Sequence, residues 1–395
     1  MKSPLQIGLF GFGTVGQGLY DVLRRTPGLQ SEIKRICVKD HTKQRPIDAS
    51  AFTYSASDII EDPDVDVVVE LIDDADAAYE IVRASMKYGK AVVTANKRMV
   101  STRLPELLEL QRQTGCPLLY EASTCGSIPI IRNLEEYYDN DLLSGITGIV
   151  NGTTNFILTH LTRRGADGGY ESALREAAAR GFAESDPTLD VEAYDAAFKT
   201  VILTAHAFGA IIDVNSVVRR GITAIAPFDV RVAASMGSVV KLLSRVVIRD
   251  GGVSAVAIPT FVPEGNALAS ISHEVNGVRL DAAFSEAQLM VGKGAGGGPT
   301  ASAVLSDISA LRYGYRYEYR KLKGSEVPTL NNHVDVVAYV RGARSIIEAI
   351  PWKQRRIDVR STDGDYIIGT VELSSLREST AFDDAETFVA LVLED

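Results

Sequence analysis

Near the start of the chain stands Gly11-Phe12-Gly13-Thr14-Val15-Gly16, and the segments on either side of it leave few folds open. Residues 6–10 form a short apolar strand, and residues 14–25 place Val15, Leu19, Val22 and Leu23 on the inner side of a helix. In that setting each glycine has a reason. The first permits a tight turn, the second lets backbone approach a pyrophosphate at the helix N-terminus, and the third brings the helix close onto the sheet. An ordinary glycine turn is the competing reading, and the place of the motif at the opening of a βαβ unit favours a dinucleotide.

The alternation continues. Residues 33–38 read as a second strand, 65–72 as a strand buried on most of both faces, 77–88 as a helix and 91–94 as another buried strand. Residues 1–132 are therefore predicted to be a dinucleotide-binding domain of the α/β class, a Rossmann-type doubly wound parallel sheet. Lys39 and Asp40 end the second strand, where an acid favours the ribose of NAD and a cation the 2′-phosphate of NADP, so that position leaves both open. From about residue 133 the rhythm changes. Strands at 145–150, 253–259 and 287–291 around helices at 171–180 and 192–209 predict an α+β domain for catalysis and dimerisation over 133–319. The glycine-rich stretch 292–298 precedes a helix over 300–313, expected to pack back on the nucleotide domain, with the glycines as a second loop over the cofactor. Residues 320–395 read as strand, helix, hairpin and strand, a small α+β module that could be regulatory.

A chain of 395 residues with net charge −10 is a poor match for nucleic acid, because no basic patch answers a phosphate backbone. The apolar run 200–214 is broken by His206 and Asp213 and is too short for a membrane span. The first residues enter a strand pattern at once, leaving no room for a signal peptide, so a cytoplasmic protein acting on a small molecule is expected. Cys37, Cys116 and Cys125 are odd in number and widely spaced, and the five histidines are scattered, which predicts free thiols and no transition metal.

Catalytic chemistry is expected between residues 181 and 199, a carboxylate-rich loop that runs into an apolar helix. Asp195 and Lys199 are four apart and share one helix face. An exposed ion pair is the bland reading. Val201, Ile202, Leu203, Ala205 and Phe208 make this helix apolar nearly all round, so Lys199 is expected to be partly buried, an amine able to give and take a proton. Lys97 closes a buried strand at its carboxyl edge, as a surface cap or as a ligand contact. Glu121 precedes a run of small residues whose carbonyls could turn inward toward a hard cation, although a structural loop is the simpler reading. Asn151 to Asn155 offer hydroxyls and amides suited to a small polar substrate or to a helix cap.

Four segments in register resemble the homoserine dehydrogenase family: Val-Val-Thr-Ala-Asn-Lys at 92–97, Gly-Ile-Val-Asn-Gly-Thr-Thr-Asn-Phe-Ile-Leu at 148–158, Ala-Glu-Ser-Asp-Pro-Thr-Leu-Asp-Val-Glu-Ala-Tyr-Asp-Ala-Ala-Phe-Lys at 183–199, and Gly-Lys-Gly-Ala-Gly-Gly-Gly-Pro-Thr-Ala-Ser-Ala-Val at 292–304. The resemblance spans roughly the first 320 residues. It implies interconversion of L-homoserine and L-aspartate 4-semialdehyde with NADP or NAD, NADP slightly preferred, on the route to threonine, methionine and isoleucine. It also implies that Lys199 relays the proton, Asp195 holds it, Glu184 takes the substrate amino group, and Lys97, Thr153 and Asp190 contact substrate. Gly11, Phe12, Gly13, Thr14, Val15, Gly16, Lys39, Lys97 and Gly296 become cofactor contacts. Glu121 with the carbonyls of Thr124, Gly126 and Ile128 becomes a site for a monovalent cation, Na+ or K+, and a homodimer or homotetramer is expected. Four positions depart from the family pattern: Asp73 and Asp74 replace two glycines, Phe182 a common tyrosine, and Lys39 the usual arginine. They keep two other readings in view, a related dehydrogenase with altered substrate and a binding paralogue without turnover.

Overall fold

The computed structural model describes residues 4–140, 142–163, 169–324 and 327–394. It divides into two compact units, one formed by Met1–Asp139 with Lys293–Arg320, the other by Asn140–Gly292 with Lys321–Asp395.

In the first unit, β1 (Leu5–Phe10), β2 (Ser31–Cys37), β3 (Phe52–Thr53), β4 (Val67–Glu70), β5 (Ala91–Thr94) and β6 (Leu118–Leu119) form a parallel sheet in the order β3-β2-β1-β4-β5-β6. Every residue of β4 is buried, as a central parallel strand covered on both faces requires. The helices α1 (Thr14–Arg25), α2 (Ser57–Ile60), α3 (Ala75–Lys87), α4 (Lys97–Thr114) and α5 (Ile130–Glu136) follow from the same alternation. Strand order reverses between β1 and β4, so the loops after these two strands open the crevice where such sheets take ligands. A helix from far along the chain, Gly297–Arg312, completes this unit by packing on α1. The approach is close. A Cβ on Gly18 would lie 2.5 Å from the carbonyl oxygen of Gly297, and one on Gly297 would lie 2.9 Å from that of Thr14.

The second unit is built on a ten-stranded sheet. Its strands are β7 (Leu143–Ile149), β8 (Val218–Arg219), β9 (Ser238–Arg249), β10 (Gly252–Pro263), β11 (Val275–Ala282), β12 (Glu286–Lys293), β13 (Asp335–Arg341), β14 (Gln354–Val359), β15 (Tyr366–Glu372) and β16 (Phe388–Val392). They run β12-β11-β7-β9-β10-β16-β13-β15-β14, with β8 on β10. The hairpin β9–β10 turns at Asp250-Gly251, where φ is +50° and +76°, the pair of positive angles a two-residue type I′ turn needs. The C-terminal strands are continuous with this sheet, because β16 lies parallel to β10 at Thr260–Leu391 and Phe261–Val392. Among the helices of this unit are α6 (Gly152–Arg163), α7 (Gly169–Ala179), α8 (Thr188–Val191) and α9 (Tyr194–Phe208). Apart from Tyr194, α9 is buried along its whole length, and its Thr200 hydroxyl bonds that of Ser244 on β9. No helix among the described residues is long and apolar enough to cross a membrane.

Candidate active site

The glycine loop after β1 has the shape the sequence demands. Gly11 holds φ at +92°, and a Cβ there would lie 2.5 Å from the Leu71 carbonyl oxygen, while one on Gly16 would lie 2.4 Å from that of Gly11. Gly13 differs: nothing stands within 4 Å of the Cβ it lacks. The loop is thus closed on its protein side and open on the other, at a helix whose first turn carries no acid. That arrangement fits a pyrophosphate. Phe12 is buried edge-to-face against Phe52 and Tyr20, so it anchors the loop, whereas Thr14 is exposed and Val15 half-buried beside it. Gly296 is exposed with φ +110° and caps the helix Gly297–Arg312 that packs on α1.

Lys39 is exposed, its Nζ 4.0 Å from the Asp74 carboxylate. Asp74 in turn accepts the amides of Asp76 and Ala77, capping α3. The Ala77 amide first, then the charge of Lys39 and the Asp76 amide, hold its carboxyl below the usual range. Burial instead pushes the carboxyl of Glu70 up to about 7, against hydrogen bonds of 2.6 Å from both the Ile72 amide and the Thr94 hydroxyl. Asn96 joins the two strand ends: its Nδ2 donates to the Ile72 carbonyl and its Oδ1 caps α4 by accepting the Met99 amide. Lys97 follows as the first residue of that helix, half-buried.

Glu121 is buried, and its two carboxylate oxygens accept the amides of Ile131 and Arg132 at the start of α5, each at 2.8 Å. Burial raises its carboxyl to about 7 despite those bonds. Its own amide donates to Asp307, which is fully buried, lies 3.1 Å from Arg132 and is raised by burial to about 8. Thr124 and Ile128 are buried, and the carbonyl of Ile128 accepts the Ile130 amide. Gly126, at φ +55°, passes so near the backbone of Lys293 and Gly294 that a Cβ would be 2.6 Å from either carbonyl oxygen. The loop therefore has a structural role in fixing α5, and among the described residues no group of three or more His, Cys, Asp or Glu side chains is placed to hold a metal.

In the second unit Asp195 and Lys199 meet at 2.8 Å, both buried. The Lys199 amine also donates to the Val150 carbonyl at 2.6 Å, at the end of β7. Asn151, the next residue, gathers the surrounding carboxylates. Its Nδ2 donates to Asp195 at 2.9 Å and to Asp190 at 2.7 Å, and its Oδ1 accepts the Thr154 amide, capping α6. Ala193, buried with φ at +60°, turns the chain from α8 into α9, a left-handed conformation that costs an alanine about 1 kcal/mol. Through that turn Asp190 and Asp195 both reach Asn151. Thr153 donates to the Phe182 carbonyl at 2.6 Å and so fastens the loop that carries Glu184, which is itself exposed. Of the two sequence readings of Asn151 to Asn155, a substrate contact or a helix cap, the cap is what Asn151 forms here; its bridge to two carboxylates was not foreseen.

A parallel sheet with an open glycine crevice and a unit bearing a buried amine clamped by a carboxylate define a nicotinamide-dependent dehydrogenase. The profile described as homoserine dehydrogenase, NAD binding domain matches residues 11–121, and that described as homoserine dehydrogenase matches residues 129–309. A homoserine dehydrogenase of Bacillus subtilis is 38% identical over 321 residues, covering 79% of this chain and 73% of its own length. Among solved structures, a homoserine dehydrogenase from Thiobacillus denitrificans superposes with a TM-score of 0.87 at 28% identity over 99% of both chains. That of S. aureus gives 0.75 at 29% identity over all of both chains. The chain belongs to the homoserine dehydrogenase family.

Proposed function

We propose that the chain interconverts L-homoserine and L-aspartate 4-semialdehyde, with Lys199 as the proton carrier. The observation that supports this reading is the buried Lys199 amine, held at 2.8 Å by Asp195 and at 2.6 Å by the Val150 carbonyl. The bound nicotinamide supplies the hydride donor or acceptor. Lys199 takes the proton from the substrate hydroxyl during oxidation and returns it to the carbonyl oxygen during reduction. Asp195 keeps the amine aimed, and Asn151 keeps Asp195 in place. Glu184, exposed on its loop, receives the substrate ammonium, with Thr153, Asp190 and Lys97 as further contacts. Lys39 neutralises a 2′-phosphate and tilts the choice toward NADP. The carbonyls of Thr124, Gly126 and Ile128 with Glu121 take Na+ or K+, and the enzyme works in the cytoplasm as a homodimer or homotetramer.

The test is the absorbance of the reduced nicotinamide, with L-homoserine and either NADP or NAD, in sodium, potassium or neither. Homoserine-dependent reduction is expected. Lys199→Ala should lower kcat by about a thousandfold while NADPH binding, read by fluorescence, is unchanged; equal loss of both would remove Lys199 from this role.

A further inference from the structure

A cavity of about 240 Å3 in the second unit lies apart from Asp195 and Lys199. Its lining includes Asp281, Glu394, Asn266, Leu268 and Leu393, together with three residues of adjacent strands, Thr147, Arg245 and Arg279. The register of the sheet sets these three in a row, Arg279 of β11 opposite Thr147 of β7, and Thr147 opposite Arg245 of β9. Directly paired residues share a face. Neighbouring residues on a strand point to opposite faces, and Ser244 is the one that reaches Thr200 of α9, so Arg245 looks away from α9.

The lining carries two arginines and two carboxylates, and both carboxylates are already engaged. Asp281 is engaged by Arg279 at 2.8 Å, and Glu394 pairs with Arg356. Arg245, half-buried, has no hydrogen bond or ion pair among the described residues. Burial first, then the charges of Arg249 and Arg279, push its guanidinium below the ordinary arginine range, which only the charge of Asp281 opposes. A half-buried guanidinium with five donors and no protein acceptor leaves its donors to solvent or to a bound anion.

We propose that this cavity binds a small oxyanion, of the carboxylate or phosphate class, on the guanidinium of Arg245 with the Thr147 hydroxyl and Arg279 beside it. Arginine's planar fork matches either class bidentately. The volume equals that of about eight waters at ~30 Å3 each, enough for phosphate or a small carboxylic acid and too little for a dinucleotide.

The test uses the whole protein with saturating NADP, so that the glycine loop is already filled. Inorganic phosphate and, separately, acetate are titrated against sodium chloride of equal ionic strength while the thermal midpoint is followed. A saturable rise is expected with at least one of them, and the one that saturates at lower concentration identifies the class. Arg245→Gln should weaken that apparent affinity by about tenfold or more while turnover persists. The unsaturable rise that phosphate gives any folded protein should survive in the variant. Should Arg245→Gln fail to fold, Thr147→Val serves in its place and should weaken binding by a smaller factor. A rise no different from that of chloride for both anions, or one equally saturable in the folded variant, would overturn the site.

Discussion

Lys241 offers a sharp test of how charge is buried in the second unit. It stands on β9, 3% exposed, with its amine donating to the Asn155 side chain at 3.1 Å and to the Ile271 carbonyl. Burial, with a smaller contribution from Arg163, lowers its pKa from 10.5 to about 8. Below the folded value the amine is charged in both states, and the cost of burying that charge is fully present. Between about 8 and 10.5 the unfolded chain binds the proton and the folded one does not, so stability rises with pH by up to about 1.4 kcal/mol per unit. Across the window from 10.5 to about 8 this comes to ~3 kcal/mol. Lys241→Met keeps the volume and removes the charge. It leaves the Asn155 oxygen without that donor, at about 1–2 kcal/mol, while the Ile271 carbonyl still accepts from Asn155 Nδ2. The variant should therefore be about 1–2 kcal/mol more stable than the parent at neutral pH, with the advantage vanishing and reversing by pH 10 to 10.5. Urea unfolding of both proteins, followed by circular dichroism at several pH values and constant ionic strength, reads the difference. A difference that stays flat with pH would refute the account of this proton.

Asn151→Ala, which removes a bridge to two carboxylates and a helix cap, should lower kcat by about a hundredfold and stability by about 1 kcal/mol, measured by steady-state kinetics and urea unfolding. Gly16→Ala forces a Cβ to 2.4 Å from the Gly11 carbonyl, and should weaken NADPH binding about tenfold in a fluorescence titration, with a destabilisation of ~1–3 kcal/mol. Lys39→Ala should raise the KM for NADP about tenfold and leave that for NAD nearly unchanged.

Local pattern carried the first unit far. The helix Thr14–Arg25 and the strand Ala91–Thr94 occupy the spans that apolar spacing predicts, because their burial is decided by neighbours in sequence. The second sheet was less legible. β9 carries Lys241 and Arg245 within its apolar run, which blurs the period of two, although Asp250-Gly251 marks its turn. The joining of β16 to β10 rests on two residue pairs far apart in sequence, and no local spacing announces it. At the site, the spacing of Asp195 and Lys199 was enough to predict their contact. The bridge from Asn151 to Asp190 and Asp195 was not readable, since it depends on the left-handed turn at Ala193, a residue type that rarely adopts one. Asp307 was equally hidden. Its helix looks ordinary in sequence, and only packing against Arg132 and the Glu121 amide reveals a buried acid.

The helix Gly297–Arg312 belongs to the nucleotide unit but leaves the ribosome only after all of the intervening residues 140–292. Six parallel strands can form early, yet α1 must wait with Gly18 uncovered, and Arg132 must wait for Asp307. A released fragment ending near residue 139 would hold the glycine loop and still leave the Gly18 face of α1 without the helix that covers it. Order of synthesis thus makes the dinucleotide crevice a late product of the chain, finished after most of the catalytic unit has been translated.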